Sequence, residues 1–110
     1  MTLLQQREAE RQARLDCLWR NTREQLRAAL TELLPGGKVI VFGSLAHRSA
    51  FSGESDVDLA LFEEPSGISI FGMIAALEEK LRRPVDIVLL GHCRFRNRIQ
   101  ETGEIWTLSG

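Results

Sequence analysis

Between residues 2 and 34 the apolar side chains Leu15, Leu18, Trp19, Leu26, Leu30 and Leu33 recur at the three-and-four spacing of a helix stripe, with Arg and Glu between them. No Gly or Pro interrupts the stretch, and Ala, Leu, Arg, Gln and Glu, which dominate it, are strong helix formers. The pattern predicts one long helix from Thr2 to Leu34. Its first dozen residues add only Leu3 and Leu4 to the stripe, so this end is expected to project from the core or to meet a partner. Pro35-Gly36-Gly37 then stops the helix.

Beyond residue 37 the period changes. Lys38 to Phe42 is short, apolar and β-branched, the signature of a buried strand. Gly43-Ser44 ends it, Leu45 to Arg48 reads as the first turn of a short helix with Ser44 as N-cap, and Phe51 to Glu54 reads as a loop. Asp56 to Phe62 is a second strand. Helical spacing returns from Ile68 to Arg82, Val85 to Leu90 is a third strand carrying one charge, Asp86, and a basic helical segment follows up to Gly103. Ile105, Trp106 and Leu108 are expected to add an edge strand or to pack on the first helix. Together these predict an α/β (α+β) fold, a small mixed β-sheet with flanking helices and a long N-terminal helix, as a single domain over 1–110 with the helix at 1–34 and the sheet-bearing core at 38–110.

Composition narrows the function. At 110 residues with 44% hydrophobic and 26% charged side chains, the chain suits one ordinary core. Fourteen basic against fifteen acidic residues, with a pI near 6.1, give no overall attraction toward nucleic acid or an anionic membrane. Cys17 and Cys93 stand in neither disulfide nor zinc spacing. There is no signal-peptide core and no run of membrane-spanning length, so a cytoplasmic setting, no membrane and no direct nucleic-acid partner are expected.

The chemistry lies in three carboxylates and one turn. Asp56 and Asp58, two apart on a strand, leave the same face about 6.6–6.8 Å apart along the backbone, and such a pair repels itself unless a cation intervenes. Asp86 interrupts V-D-I-V-L-L, where a core charge is costly unless paired or metal-bound. If the third strand lies beside the second, Asp86 completes a triad. Three carboxylates around two Mg²⁺ ions about 3.5–4 Å apart equip a site for phosphoryl or nucleotidyl transfer, with Asp86 as a metal ligand or as the group that takes the nucleophile's proton. Gly43 permits close backbone approach to a phosphate, and Ser44 offers a hydroxyl and an amide to the β/γ-phosphates. Trp19 reads as core, His92-Cys93 as structural, and Arg94, Arg96 and Arg98 cannot share one helical face.

Gly43-Ser44 followed by Asp56-Val57-Asp58 resembles the signature of the DNA polymerase beta-like nucleotidyltransferase superfamily. The chain is most similar to its minimal nucleotidyltransferases (MNT), and Ser55, Asp86 and the closing R-I-Q-E-T-G-E-I-W segment extend the resemblance over nearly the whole length. It implies the nucleotidyltransferase fold, with Asp56, Asp58 and Asp86 as catalytic metal ligands and Gly43 and Ser44 as the phosphate-binding pair. Many relatives read Gly-Ser-x-Ala-Arg-Gly, whereas His47 and Arg48 stand here in place of Arg and Gly. Both remain within reach of a triphosphate, but a side chain where Gly is usual alters the loop.

The resemblance further implies a partner, a HEPN toxin encoded nearby, and a reaction, transfer of AMP from Mg-ATP to a hydroxyl of that toxin, typically a tyrosine, by which the chain acts as antitoxin. The sequence has no tyrosine, so a tyrosine acceptor belongs to another molecule, and without a second domain the acceptor pocket is expected to be shaped by a partner docking near the N-terminal helix. A catalytically weak or inactive antitoxin that silences the HEPN RNase by binding is the alternative. An enzyme acting on an aminoglycoside or RNA is disfavoured by size and by the absence of a basic face.

Overall fold

A computed structural model describes residues 2–109; Met1 and Gly110, the two ends of the expected domain, lie outside the described residues. Helix α1 spans Leu3–Leu33. Thr2 caps it, accepting from the Gln5 amide while the Gln5 side chain accepts from the Thr2 amide, a reciprocal capping box. Strand β1 is Lys38–Phe42. Two short 3-10 turns, Gly43–Ala46 and Arg48–Ala50, lead to β2, Val57–Leu61. Helix α2 (Ile70–Leu81), β3 (Val85–Leu89), a 3-10 turn at Leu90–His92, α3 (Arg96–Thr102) and β4 (Glu104–Thr107) complete the chain.

The four strands form one mixed sheet in the order β3-β2-β1-β4. β1 runs antiparallel to both β2 and β4, and β2 runs parallel to β3 because α2 carries the chain back across the sheet. One face is covered by α1 and α2. There Val39, Val41, Val57, Leu59 and Ile87 pack against Leu26, Leu30, Met73 and Leu77 in the main core. Burying a side chain of this kind contributes about 1.5–3 kcal/mol, which is why Leu26, Leu30, Met73 and Leu77, all without exposed surface, fix the helices on the sheet.

The other face is covered only in part. Ile40, Ala60 and Leu90 meet Ile99 of α3 in a second, smaller cluster. Seven residues of α3 cannot roof four strands, so this face stays open toward the start of β2 and β3. Gly103 lets α3 sit close: a Cβ there would meet Ile40 Cγ2 at 2.5 Å and the Ile99 carbonyl oxygen at 2.7 Å. The residue expected as a C-cap is thus the C-cap, but with φ −86° rather than a left-handed conformation. Close packing, not backbone handedness, demands glycine there.

The first half of α1 leaves the body. Residues 2–14 are all exposed, Leu3 and Leu4 are 64% and 77% exposed, and the molecule measures 54 × 28 × 22 Å. Among the described residues no helix is long and apolar enough to cross a membrane.

Two expectations change here. Ser44 is not an N-cap: its turn begins at Gly43, and the preceding Phe42 makes no side-chain capping bond. Asp86 does not sit in the core, because on β3 it alternates with the buried Val85 and Ile87 and faces the open side of the sheet. The V-D-I-V-L-L run reads as fully buried only if both faces of β3 are covered, and one is not.

Candidate functional site

Strand register brings the carboxylates together. Asp58 on β2 lies directly across from Asp86 on β3, and Phe42 on β1 lies across from Asp58 on its other side. In a parallel pair, residues in register point to the same face, so both carboxylates project onto the open side near the edge where β1 ends. Asp56 precedes β2 by one residue and is exposed, as is Asp86, whereas Asp58 is half-buried. Partial burial, with the charges of Asp86 and then Asp56 nearby, pushes the Asp58 carboxyl above the ordinary carboxylate range. Among the described residues none of the three takes part in an ion pair.

Gly43 lies against this carboxylate. Its φ is +71°, and a Cβ would overlap Asp58 Oδ2 and stand 3.2 Å from Asp58 Cγ. The glycine is required twice over, by the left-handed backbone and by contact with the acid. Beside it a cavity of about 560 Å³ opens between the sheet and α3, lined among others by Gly43, His47, Asp86, Phe95 and Arg98. A larger cavity of about 770 Å³ lies at the opposite end of the sheet, around Leu34, Pro35 and Phe62. It holds none of the three aspartates, whereas Asp86 lines the smaller one.

The structure thus gathers Gly43, His47 and Asp86 around one cavity, with Asp58 packed under Gly43 and Ser44 next in the same turn. Arg48 is directed elsewhere. Its guanidinium makes a two-point bond to Asp16 of α1, with Nε to Oδ1 at 2.7 Å and Nη2 to Oδ2, and this arginine holds the Asp16 carboxyl below its ordinary range. The unusual side chain after His47 therefore fastens the turn to the long helix.

By donor chemistry and placement the three aspartates suit a divalent cation such as Mg²⁺: hard oxygens, those of Asp58 and Asp86 in register on one face of the sheet, with Asp58 held near two like charges. They are not a preformed cage, since among the described residues no group of three His, Cys, Asp or Glu side chains stands ready to hold a metal ion. Asp56 and Asp86 are exposed, and like charges so placed repel one another.

Two supports of the site were not visible in the sequence pattern. Arg83 lies over the Phe51 ring at 4.8 Å and donates to the carbonyl of Ser55 at 2.9 Å, bracing the loop that delivers Asp56. Burial lowers the pKa of its guanidinium, and Asp56 acts in the opposite direction. Arg23 joins α1 to β4 through Glu104, with Nη–Oε distances of 2.6 and 2.9 Å. No local spacing announces either contact, because the partners lie 28 and 81 positions apart.

A family model for the nucleotidyltransferase domain matches residues 23–106. No curated protein matches the chain. Among solved structures the chain is similar to a crystal structure of a toxin-antitoxin with AMP-PNP, with a TM-score of 0.59 and 20% identity over 76% of this chain and 72% of that one. At that identity the likeness concerns the fold. The family match spans most of the sequence, from the middle of α1 to β4, and the chain belongs to the nucleotidyltransferase domain family.

Proposed function

We propose that the chain transfers AMP from ATP to a hydroxyl of a partner protein, a tyrosine of a HEPN-type toxin, and so serves as the antitoxin of a pair acting in the cytoplasm. The observation that carries the reading is the register of Asp58 against Asp86, directly beneath the Gly43-Ser44 turn. The family match supports the transferase chemistry. The similar toxin-antitoxin structure with AMP-PNP supports an adenine nucleotide and a toxin partner. Exposed Leu3 and Leu4 at the projecting end of α1 are the docking face we assign to that partner.

In this reading the amides of Gly43 and Ser44 and the Ser44 hydroxyl bind the β- and γ-phosphates, and His47 borders the nucleotide at the cavity rim. Asp56, Asp58 and Asp86 would hold Mg²⁺, which when bound neutralises the triphosphate and makes the acceptor hydroxyl more acidic. The acceptor oxygen attacks the α-phosphorus, the bond from that phosphorus to the α–β bridging oxygen breaks, and pyrophosphate leaves. Asp86, exposed at the cavity wall, takes the hydroxyl proton.

The bond that breaks is directly testable. With ATP labelled at the α-phosphate, label passes to the toxin; with ATP labelled at the γ-phosphate, it leaves as pyrophosphate. Label appearing on the toxin from the γ-position would mark a kinase and overturn the reading.

A further inference from the structure

The Gly43–Ala46 turn is held from outside. Within it the closing contact is the His47 amide to the Ser44 carbonyl at 3.1 Å, and no side chain caps its start. What anchors it is Leu45. The Leu45 side chain is completely buried in the main core, and its carbonyl accepts two bonds from α1, one from Trp19 Nε1 and one from Arg23 Nη1, each at 3.0 Å.

Arg23 is itself locked. Its guanidinium lies over the Trp19 ring at 4.5 Å and over the Trp106 ring at 5.1 Å, while both terminal nitrogens bond the Glu104 carboxylate. That bond keeps the Glu104 carboxyl below its ordinary range. A planar fork that stacks on two indoles and serves three oxygens is a task for arginine; the point charge of lysine cannot do it.

We propose that Arg23, assisted by Trp19, is the positioning residue of the nucleotide turn: through the Leu45 carbonyl it couples α1 and β4 to the direction in which the Gly43 and Ser44 amides point. The inference rests on the nucleotide reading of that turn for its consequence, but not for its geometry. Arg27 is the built-in comparison. It also lies over Trp106, at 4.5 Å, and donates to the Thr107 carbonyl at 3.4 Å, yet makes no bond to Leu45.

Two measurements on the full chain separate the claims. The first is amide hydrogen exchange at His47, which reports opening of the turn; the second is calorimetric titration with AMP-PNP and Mg²⁺. Arg23→Met speeds His47 exchange and weakens AMP-PNP binding, each about tenfold, the equivalent of one well-placed hydrogen bond. Trp19→Phe, which removes one donor and keeps a ring, gives a smaller change in the same direction and stands in if Arg23→Met does not fold. Arg27→Met stays within about twofold of wild type in both, since it loses a ring contact and a long bond to the Thr107 carbonyl, neither of which reaches the turn. His47 exchange that is unaltered in both Arg23→Met and Trp19→Phe overturns the positioning role. Altered exchange in a protein whose wild type does not bind AMP-PNP leaves the positioning role standing and sinks the nucleotide reading instead.

Discussion

Asp58→Asn loses AMP transfer by about a thousandfold or more, equivalent to about 4 kcal/mol of transition-state stabilisation, and at neutral pH the variant melts at a higher temperature than wild type. The two effects have one cause. Asp58 is half-buried between Asp86 and Asp56, and its carboxyl is raised above the ordinary value of 3.8 by burial and by those neighbouring charges. Holding that charge costs folding free energy, and a site for a metal-bound nucleotide retains it for chemistry. The sign in pH follows by linkage. A raised folded-state pKa favours the folded protein below the unfolded value of 3.8, and that advantage is lost as pH rises through the folded pKa. The amide has no proton to lose, so the gain in melting temperature of Asp58→Asn over wild type is largest near neutrality and shrinks toward zero below that value. Thermal melts across pH, paired with transfer assays, check both halves. A variant that loses activity and is also less stable at neutral pH would place Asp58 among the structural residues.

Gly43→Ala fails on both counts. The left-handed backbone at φ +71° alone costs an L-residue about 1–2 kcal/mol, and the new methyl overlaps Asp58 Oδ2, so the total reaches about 2–4 kcal/mol. Relief requires Asp58 or the turn to move, and either movement spoils the geometry proposed for the phosphates. AMP-PNP binding is therefore expected to be lost along with stability. Gly36→Ala provides the scale: its φ is +74° with nothing within 4 Å of the added carbon, so it pays only the backbone strain, about 1–2 kcal/mol, and keeps nucleotide binding. Chemical denaturation of the two variants measures the difference, and equal losses would remove the contact with Asp58 from the explanation.

Much of the architecture was legible because it is local. The bounds of β1 coincide with the apolar run Lys38–Phe42, α1 stops at Leu33 before Pro35-Gly36-Gly37, and β2 differs from the expected strand by one residue at each end. Periodicity reports which residues share a face, and the expected common face of Asp56 and Asp58 rests on it, with Asp56 lying one residue before β2. It does not report register or cover. Asp86 could be placed beside Asp58 only conditionally, and the inference that its charge is buried failed because α3 leaves that part of the sheet open. Phe51, assigned to a loop, is 3% exposed because Arg83 and the core close over it. The clasp of Trp19, Arg23, Glu104 and Trp106 joins the two ends of the chain, where no short-range pattern points to it. Arg48 departs from the usual motif, and its bond to Asp16 gives the departure a structural use.

In the proposed function the chain modifies its partner rather than merely covering it. Incubation of the chain with the proposed toxin partner, Mg²⁺ and ATP, followed by intact mass spectrometry of that partner, measures the modification. A toxin heavier by one or more adenylate groups with wild type, and of unchanged mass with Asp58→Asn, is the predicted result. A toxin of unchanged mass that is inhibited equally by wild type and by Asp58→Asn would contradict it and leave an antitoxin that acts by binding alone.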